Sequence, residues 1–351
     1  MNFFKNIVLF LSILLVFTSC EKIFMHPNPD TNNLAIFNEY AKIVKEKYAM
    51  LEYKGVDIDF LADSIRATIT NDLTDAELFQ KLSIITVRLR DGHSDLTANL
   101  GELEPAFASF NFIEGFPVSI SGQILGDHYV GKSVNPTIQF LDDDTEFGFR
   151  AIWGTLPQDQ EIGYIWIPNW KVEISDDEFE NIFTDLTNTK GLIVDMRQNT
   201  GGNPALATKF ASYFTDTPIY NGFERFKIGP DADDFSDSDL TLQPTSSDNK
   251  YLKPVAVLTD RYVYSASTTF LYSVDPLENV TTIGQISGGG SGSVGDGYLA
   301  NGWKWSLSIS EFIDADGRHL DDGVEPDILV VFDLMDTEKD EFIERAILEL
   351  Q

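Results

Sequence analysis

The sequence predicts an α/β protein with a helical N-terminal subdomain, on three observations. Residues 34–93 carry apolar positions at spacings of three and four, the period of helices packed on one face. From residue 171 onward, short apolar runs such as GLIVD and PVAVL alternate with helical stretches, the order that builds a parallel sheet. Between them, residues 94–170 read as a strand-rich connection that includes FPVSI, FGFRAIWG and EIGYIWIPNW.

The elements follow in order. Residues 1–19 have the pattern of an export signal, with Lys5 ahead of an apolar run from Ile7 to Phe17 broken only by Ser12. About 11 apolar residues are too few to cross a bilayer but suit a signal core. Thr18 and Ser19 precede Cys20, the sole cysteine, in a pattern resembling a bacterial lipobox; this predicts a lipid on Cys20. An ordinary signal peptide with an incidental cysteine would read much the same. Residues 20–33 are polar and proline-bearing, a tether.

The first helix places Phe37, Tyr40, Ala41, Val44, Tyr48 and Leu51 on one face. A second spans IDFLADSIRATIT. A third opens on a capping box, Thr74 with Glu77, and is expected to stop at Gly92 in Asp91-Gly92-His93. The core, residues 171–351, then runs helix DDEFENIFTDL, strand GLIVD, helix PALATKFASYF, strand PVAVLTD, helix SASTTFLYSV and strand NVTTIGQIS. Glycine-rich 287–293 is a loop, and DILVVF is a late strand.

Composition excludes several functions. The net charge is −31, from 25 basic and 56 acidic residues. That argues against nucleic acid, which needs positive surface, and against broad adhesion to anionic lipid headgroups. Membrane attachment would come through the lipid on Cys20 alone. A single cysteine permits no intramolecular disulfide and no thiolate metal site. Hydrophobic residues make up 43% of the chain, enough for a core.

Four stretches could carry chemistry. In DMRQNTGGNP the paired glycines Gly201 and Gly202 end a strand before a helix, where amides can hold an oxyanion or merely make a tight turn. It is not a dinucleotide loop, which would need GxGxxG. In YSAST, Ser265 stands past a strand and at a helix start, with the Ala266 N–H beside it; a nucleophile and an N-cap serine both fit that position. His93 is the one histidine between a helix stop and a strand, whereas His26, His128 and His319 lie in the tether or in turns. ADGRHLDDGVEPDI is acidic and turn-rich but does not match a calcium loop, so no metal is expected.

Taken in order, LRDGHSDL, EIGYIWIP, GLIVDMRQNTGG, VAVLTDRYVYSAS, TIGQISGGGSG and DDGVEPDI resemble the C-terminal-processing (tail-specific) serine peptidases, in their tricorn-core and retinoid-binding-protein-like branch. The resemblance runs from about Leu34 to the C-terminus. It implies a ClpP/crotonase-like core, no cofactor, and peptide or unfolded protein as substrate.

It also implies roles. Ser265 stands at the family's nucleophile, with Thr268 where glutamate is frequent. The family's lysine branch places its base where this chain has Gly290, and no lysine occurs between Lys253 and Lys304, which rules out that dyad. The tricorn-like branch implies His93 as base, with an acidic orienting residue: Asp321, or else Asp322 or Glu325. Ala266 with Gly201 or Gly202 would form the oxyanion hole. Residues 100–160 lack the carboxylate loop of the PDZ domain found in many relatives, so none is expected.

The alternative is a silent lipoprotein that binds peptides or apolar ligands on the same fold. An acyl-CoA enzyme fits poorly with export. The leading expectation is an exported, lipid-anchored serine endopeptidase of the cell envelope.

Overall fold

The computed structural model describes residues 30–101, 103–142, 148–333 and 335–351. The expected signal at 1–19, Cys20 and the tether up to residue 29 lie outside the described residues.

Three helices come first: α1 (Asn33–Lys47), α2 (Ile58–Arg66) and α3 (Asp75–Arg88). Each begins at a side-chain cap, Asn32, Asp57 and Thr74, the last in the reciprocal capping box with Glu77. The α1 face read from the sequence is buried through Phe37, Tyr40, Ala41 and Val44. The end of α3 differs from expectation. The left-handed residue is Arg90 (φ 52°), not Gly92. Its guanidinium donates to the Lys54 carbonyl at 2.8 Å, which helps hold a conformation that glycine would adopt freely.

The chain continues through β1 (Asp95–Ala98), β2 (Ala106–Ser109), β3 (Gln139–Asp142), β4 (Phe149–Thr155) and β5 (Ile162–Trp166). FPVSI forms no strand. Pro117 has no N–H to give to a ladder, and Ser119 is tied instead by side chains: its hydroxyl donates to Asp260 and its carbonyl accepts from Arg197.

Next come α4 (Asp176–Leu186), β6 (Gly191–Asp195), α5 (Pro204–Ala211), β7 (Ile219–Lys227), β8 (Phe235–Leu242), β9 (Val255–Thr259) and α6 (Ala266–Val274). The chain closes with β10 (Val280–Gly284), β11 (Val294–Tyr298), β12 (Lys304–Ser308), β13 (Ser310–Asp314), β14 (Ile328–Leu329) and α7 (Glu341–Glu349). DILVVF thus contributes only the two residues of β14.

The fold is α/β. Its main sheet has the order β14-β10-β9-β6-β5-β4-β3, parallel from β14 to β5 and antiparallel at β4 and β3. β6 and β9 are buried along their whole length, as strands covered on both faces must be. One face packs the aromatic layer Phe179, Phe183, Phe210 and Phe270 from α4, α5 and α6. The other packs Phe342 and Ile343 of α7 with Leu125 and Tyr129.

A second sheet, β11-β12-β1-β2, joins the two halves of the chain. Leu299, Trp303, Trp305 and Leu307 share one core with α1, α2 and α3. The helical unit is therefore completed by residues 294–308, across the boundary read at residue 93. This return brings the turn after α3 to the carboxyl ends of the parallel strands, where open α/β sheets place their sites.

Candidate active site

The loop after β9 turns sharply at Ser265. Its φ of 59° and ψ of −124° put a non-glycine residue in a sparsely populated region, which costs on the order of 1–3 kcal/mol. Several bonds hold it there. Ser265 N–H donates to Gly289 O at 2.9 Å, and Thr268 Oγ1 donates to the same carbonyl at 2.6 Å. Tyr264 N–H donates to Asn199 O at 3.2 Å. The turn projects the Ser265 hydroxyl off the start of α6. Ser267, the other serine of the stretch, is fully buried and accepts the Trp170 indole N–H at 3.0 Å, a structural role.

His93 Nε2 lies 3.0 Å from Ser265 Oγ, across 172 residues of sequence. Asp91 shapes the loop that delivers it. The Asp91 carboxylate accepts the His93 backbone N–H and the hydroxyls of Ser94 and Ser308, each at 2.8 Å. The His93 ring rests 4.8 Å from the ring of Tyr264, which is stacked on Phe112. Burial pushes the imidazole pKa down, against a smaller upward pull from Asp91. His93 is therefore neutral at neutral pH, the form in which Nε2 can accept a proton.

The acidic candidates separate by environment. Glu325 is exposed. Asp322 accepts from Tyr53 Oη at 2.7 Å and pairs with Lys54 at 2.6 Å. Asp321 is buried, and its Oδ2 lies 2.5 Å from Lys54 Nζ. Among the described residues, Asp321 Oδ1 and His93 Nδ1 are both buried and both without a hydrogen-bond partner. The orienting bond expected between Asp321 and His93 is thus not formed, because Asp321 is drawn to the ammonium of Lys54.

The glycine loop needs a second correction. Gly201 N–H donates to Asn199 Oδ1 at 3.0 Å and is not available to a substrate. No hydrogen bond within the described residues engages the N–H of Gly202 or Ala266. Gly201 instead lets the loop touch the elbow: a Cβ there would lie 2.8 Å from Ser265 Cβ and 3.0 Å from Ala266 N. Gly290, the position of a lysine base in the dyad branch, has φ 66°, and a Cβ there would lie 2.1 Å from the Tyr264 ring. Beside the loops after β5, β6 and β9 lies a cleft of about 360 Å³, lined by Ile120, Trp166, Pro168, Thr200 and Tyr262 among others.

Three side chains at or around the site carried no signal in the sequence. Asn199, Lys54 and Asp91 act through hydrogen bonds that only the folded chain reveals. Asp91 and Asn199 sat inside stretches already singled out, but Lys54 did not.

Residues 161–330 match peptidase family S41. That likeness spans just under half of the chain and falls on the α/β core. A protein of Parabacteroides merdae assigned as a candidate peptidase shares 26% identity, with a TM-score of 0.81 over 92% of this chain and 97% of that one. Two further structures show the same fold at 14% identity. Mature CPAF complexed with lactacystin aligns with a TM-score of 0.63 over 91% of this chain and 97% of its own. The photosystem II D1 C-terminal processing protease aligns with a TM-score of 0.54 over 90% and 97%. The match indicates a serine peptidase, a class that acts on protein or peptide.

Proposed function

We propose that this protein is an S41-type serine endopeptidase in which Ser265 is the nucleophile and His93 its general base. Ser265 Oγ attacks the peptide carbonyl while His93 Nε2 takes its proton, and His93 then gives that proton to the leaving amine. Water repeats the sequence on the acyl-enzyme and frees Ser265. The amides of Ala266 and Gly202 receive the tetrahedral oxyanion, each worth roughly 3 kcal/mol of transition-state stabilisation. In this reading Asp321, buried with its Oδ1 unpartnered as His93 Nδ1 is, serves as the acidic partner of the His93 imidazolium.

The observation that carries this reading is the 3.0 Å contact between His93 Nε2 and a serine held on a strained turn. It also weighs against the silent binding protein, which would need neither the strain nor the neutral imidazole. The test is digestion of an unfolded-protein and peptide library by the chain from Glu21 onward, read by mass spectrometry. Cleavage should vanish in Ser265→Ala and fall at least about a hundredfold in His93→Ala. Cleavage that survives Ser265→Ala defeats the assignment.

The same proposal places the enzyme on the cell envelope through a lipid on Cys20. Cys20→Ala should move the protein from the membrane to the soluble fraction; retention on the membrane would refute the anchor.

A further inference from the structure

Lys54 lies between α1 and α2, far in sequence from every catalytic candidate. Its side chain is 2% exposed, yet its ammonium sits 2.5 Å from Asp321 Oδ2 and 2.6 Å from Asp322 Oδ1. A buried ammonium is costly unless paired, so its presence in this turn calls for a reason. The same residue's carbonyl accepts from Arg90 at 2.8 Å, and Arg90 is the left-handed residue directly before Asp91, Gly92 and His93. Its neighbour Tyr53 donates to Asp322 and stacks on His319 at 4.1 Å between ring centroids. One two-residue segment thus grips both the loop that delivers His93 and the loop that carries Asp321.

We infer that Lys54 is a positioning residue for the Ser265–His93 pair: its ammonium holds the Asp321 carboxylate in place, and its carbonyl fixes the turn that presents His93. The inference rests on the peptidase reading above. The charged and titratable groups that act on Asp321 are Lys54, Asp322, Asp91, Arg261 and the phenols Tyr48, Tyr53 and Tyr264. Even with Lys54 in place, burial and the Asp91 charge hold the Asp321 carboxyl up at about 7, and Lys54 is the principal group pulling it down. Arg261 cannot replace it, because its guanidinium is spent on the carbonyls of Phe112, Ser287 and Asp322. Without the ammonium that midpoint rises further, so Asp321 stays protonated through neutral pH and the charge proposed to balance His93 is lost.

Two readouts test this, one of which needs no activity. In protein carrying ¹³C-carboxyl aspartate, with the Asp321 signal assigned through Asp321→Asn, Lys54→Met should raise the Asp321 midpoint by about one pH unit or more. Asp322→Asn, which leaves the ammonium to Asp321 and removes a nearby like charge, should lower it. That variant changes a side chain 68% exposed, so it also serves if Lys54→Met does not fold. In the peptidase assay, Lys54→Met should move the acid limb of kcat/KM upward and reduce kcat about tenfold at pH 7, with partial recovery in Lys54→Arg.

An Asp321 midpoint that neither variant moves overturns the inference. So does a loss of activity that follows thermal stability alone with an unchanged pH profile. A parent protein without peptidase activity refutes the proposed function, and the carboxyl titration then decides the role of Lys54 separately.

Discussion

Ser265 and Gly290 show at the residue scale why the proposed base is a histidine and not a lysine. The elbow holds Ser265 at φ 59°, and the ring of Tyr264, the residue just before it, occupies the space into which a side chain at 290 would grow. A side chain at 290 and the Tyr264 ring in its present position exclude each other. Gly290→Lys made in a His93→Ala background should therefore restore no cleavage and should destabilise the fold, read as a lower thermal midpoint. Restored cleavage would mean that Tyr264 yields and that a dyad is within reach of this scaffold. The types and order of Ser265, His93 and Gly290 were legible in the sequence. Their partners were not, because a motif names a residue but not the hydrogen bond that uses it. Asn199 illustrates the gap. It captures the Gly201 N–H, and nothing in NTGG says which amide stays free.

Between elements, Arg197 is the principal cross-link. It follows β6 in the stretch DMRQNTGG, is fully buried, and pairs with Asp195 and with Asp340, the cap of α7. Tyr164 of β5 donates to the same Asp195 at 2.9 Å. The arginine thus ties the carboxyl end of the sheet to a helix from the far terminus. Arg197→Met would strand two buried carboxylates and should cost about 3–5 kcal/mol of stability, measured by denaturant unfolding. A loss below about 1 kcal/mol, the scale of an exposed pair, would contradict that reading. Helices with side-chain caps and strands buried on both faces were readable, since local spacing and apolar runs determine them. The failures share one cause. The end of α3, the false strand FPVSI and the short β14 are all decided by distant partners: Lys54 for Arg90, Asp260 and Arg197 for Ser119, and the pairing with β10 for Ile328 and Leu329.

Across the whole molecule, the site exists because the chain returns on itself. Residues 294–308 complete the core of α1, α2 and α3, and Ser308 donates to Asp91 beside the base. The His93 loop and the Ser265 elbow thus come from two structural layers that meet only in the folded protein. Sequence reading placed each on its layer but could not bring them together, since no local rule spans the 172 residues between them. The central claim is that this meeting activates Ser265. The most direct measurement is labelling of the folded protein with a fluorophosphonate, followed by intact-mass analysis and peptide mapping. The account predicts a single adduct on Ser265, formed much more slowly in His93→Ala and not at all in Ser265→Ala. An adduct on another residue, or a labelling rate indifferent to His93, would contradict it.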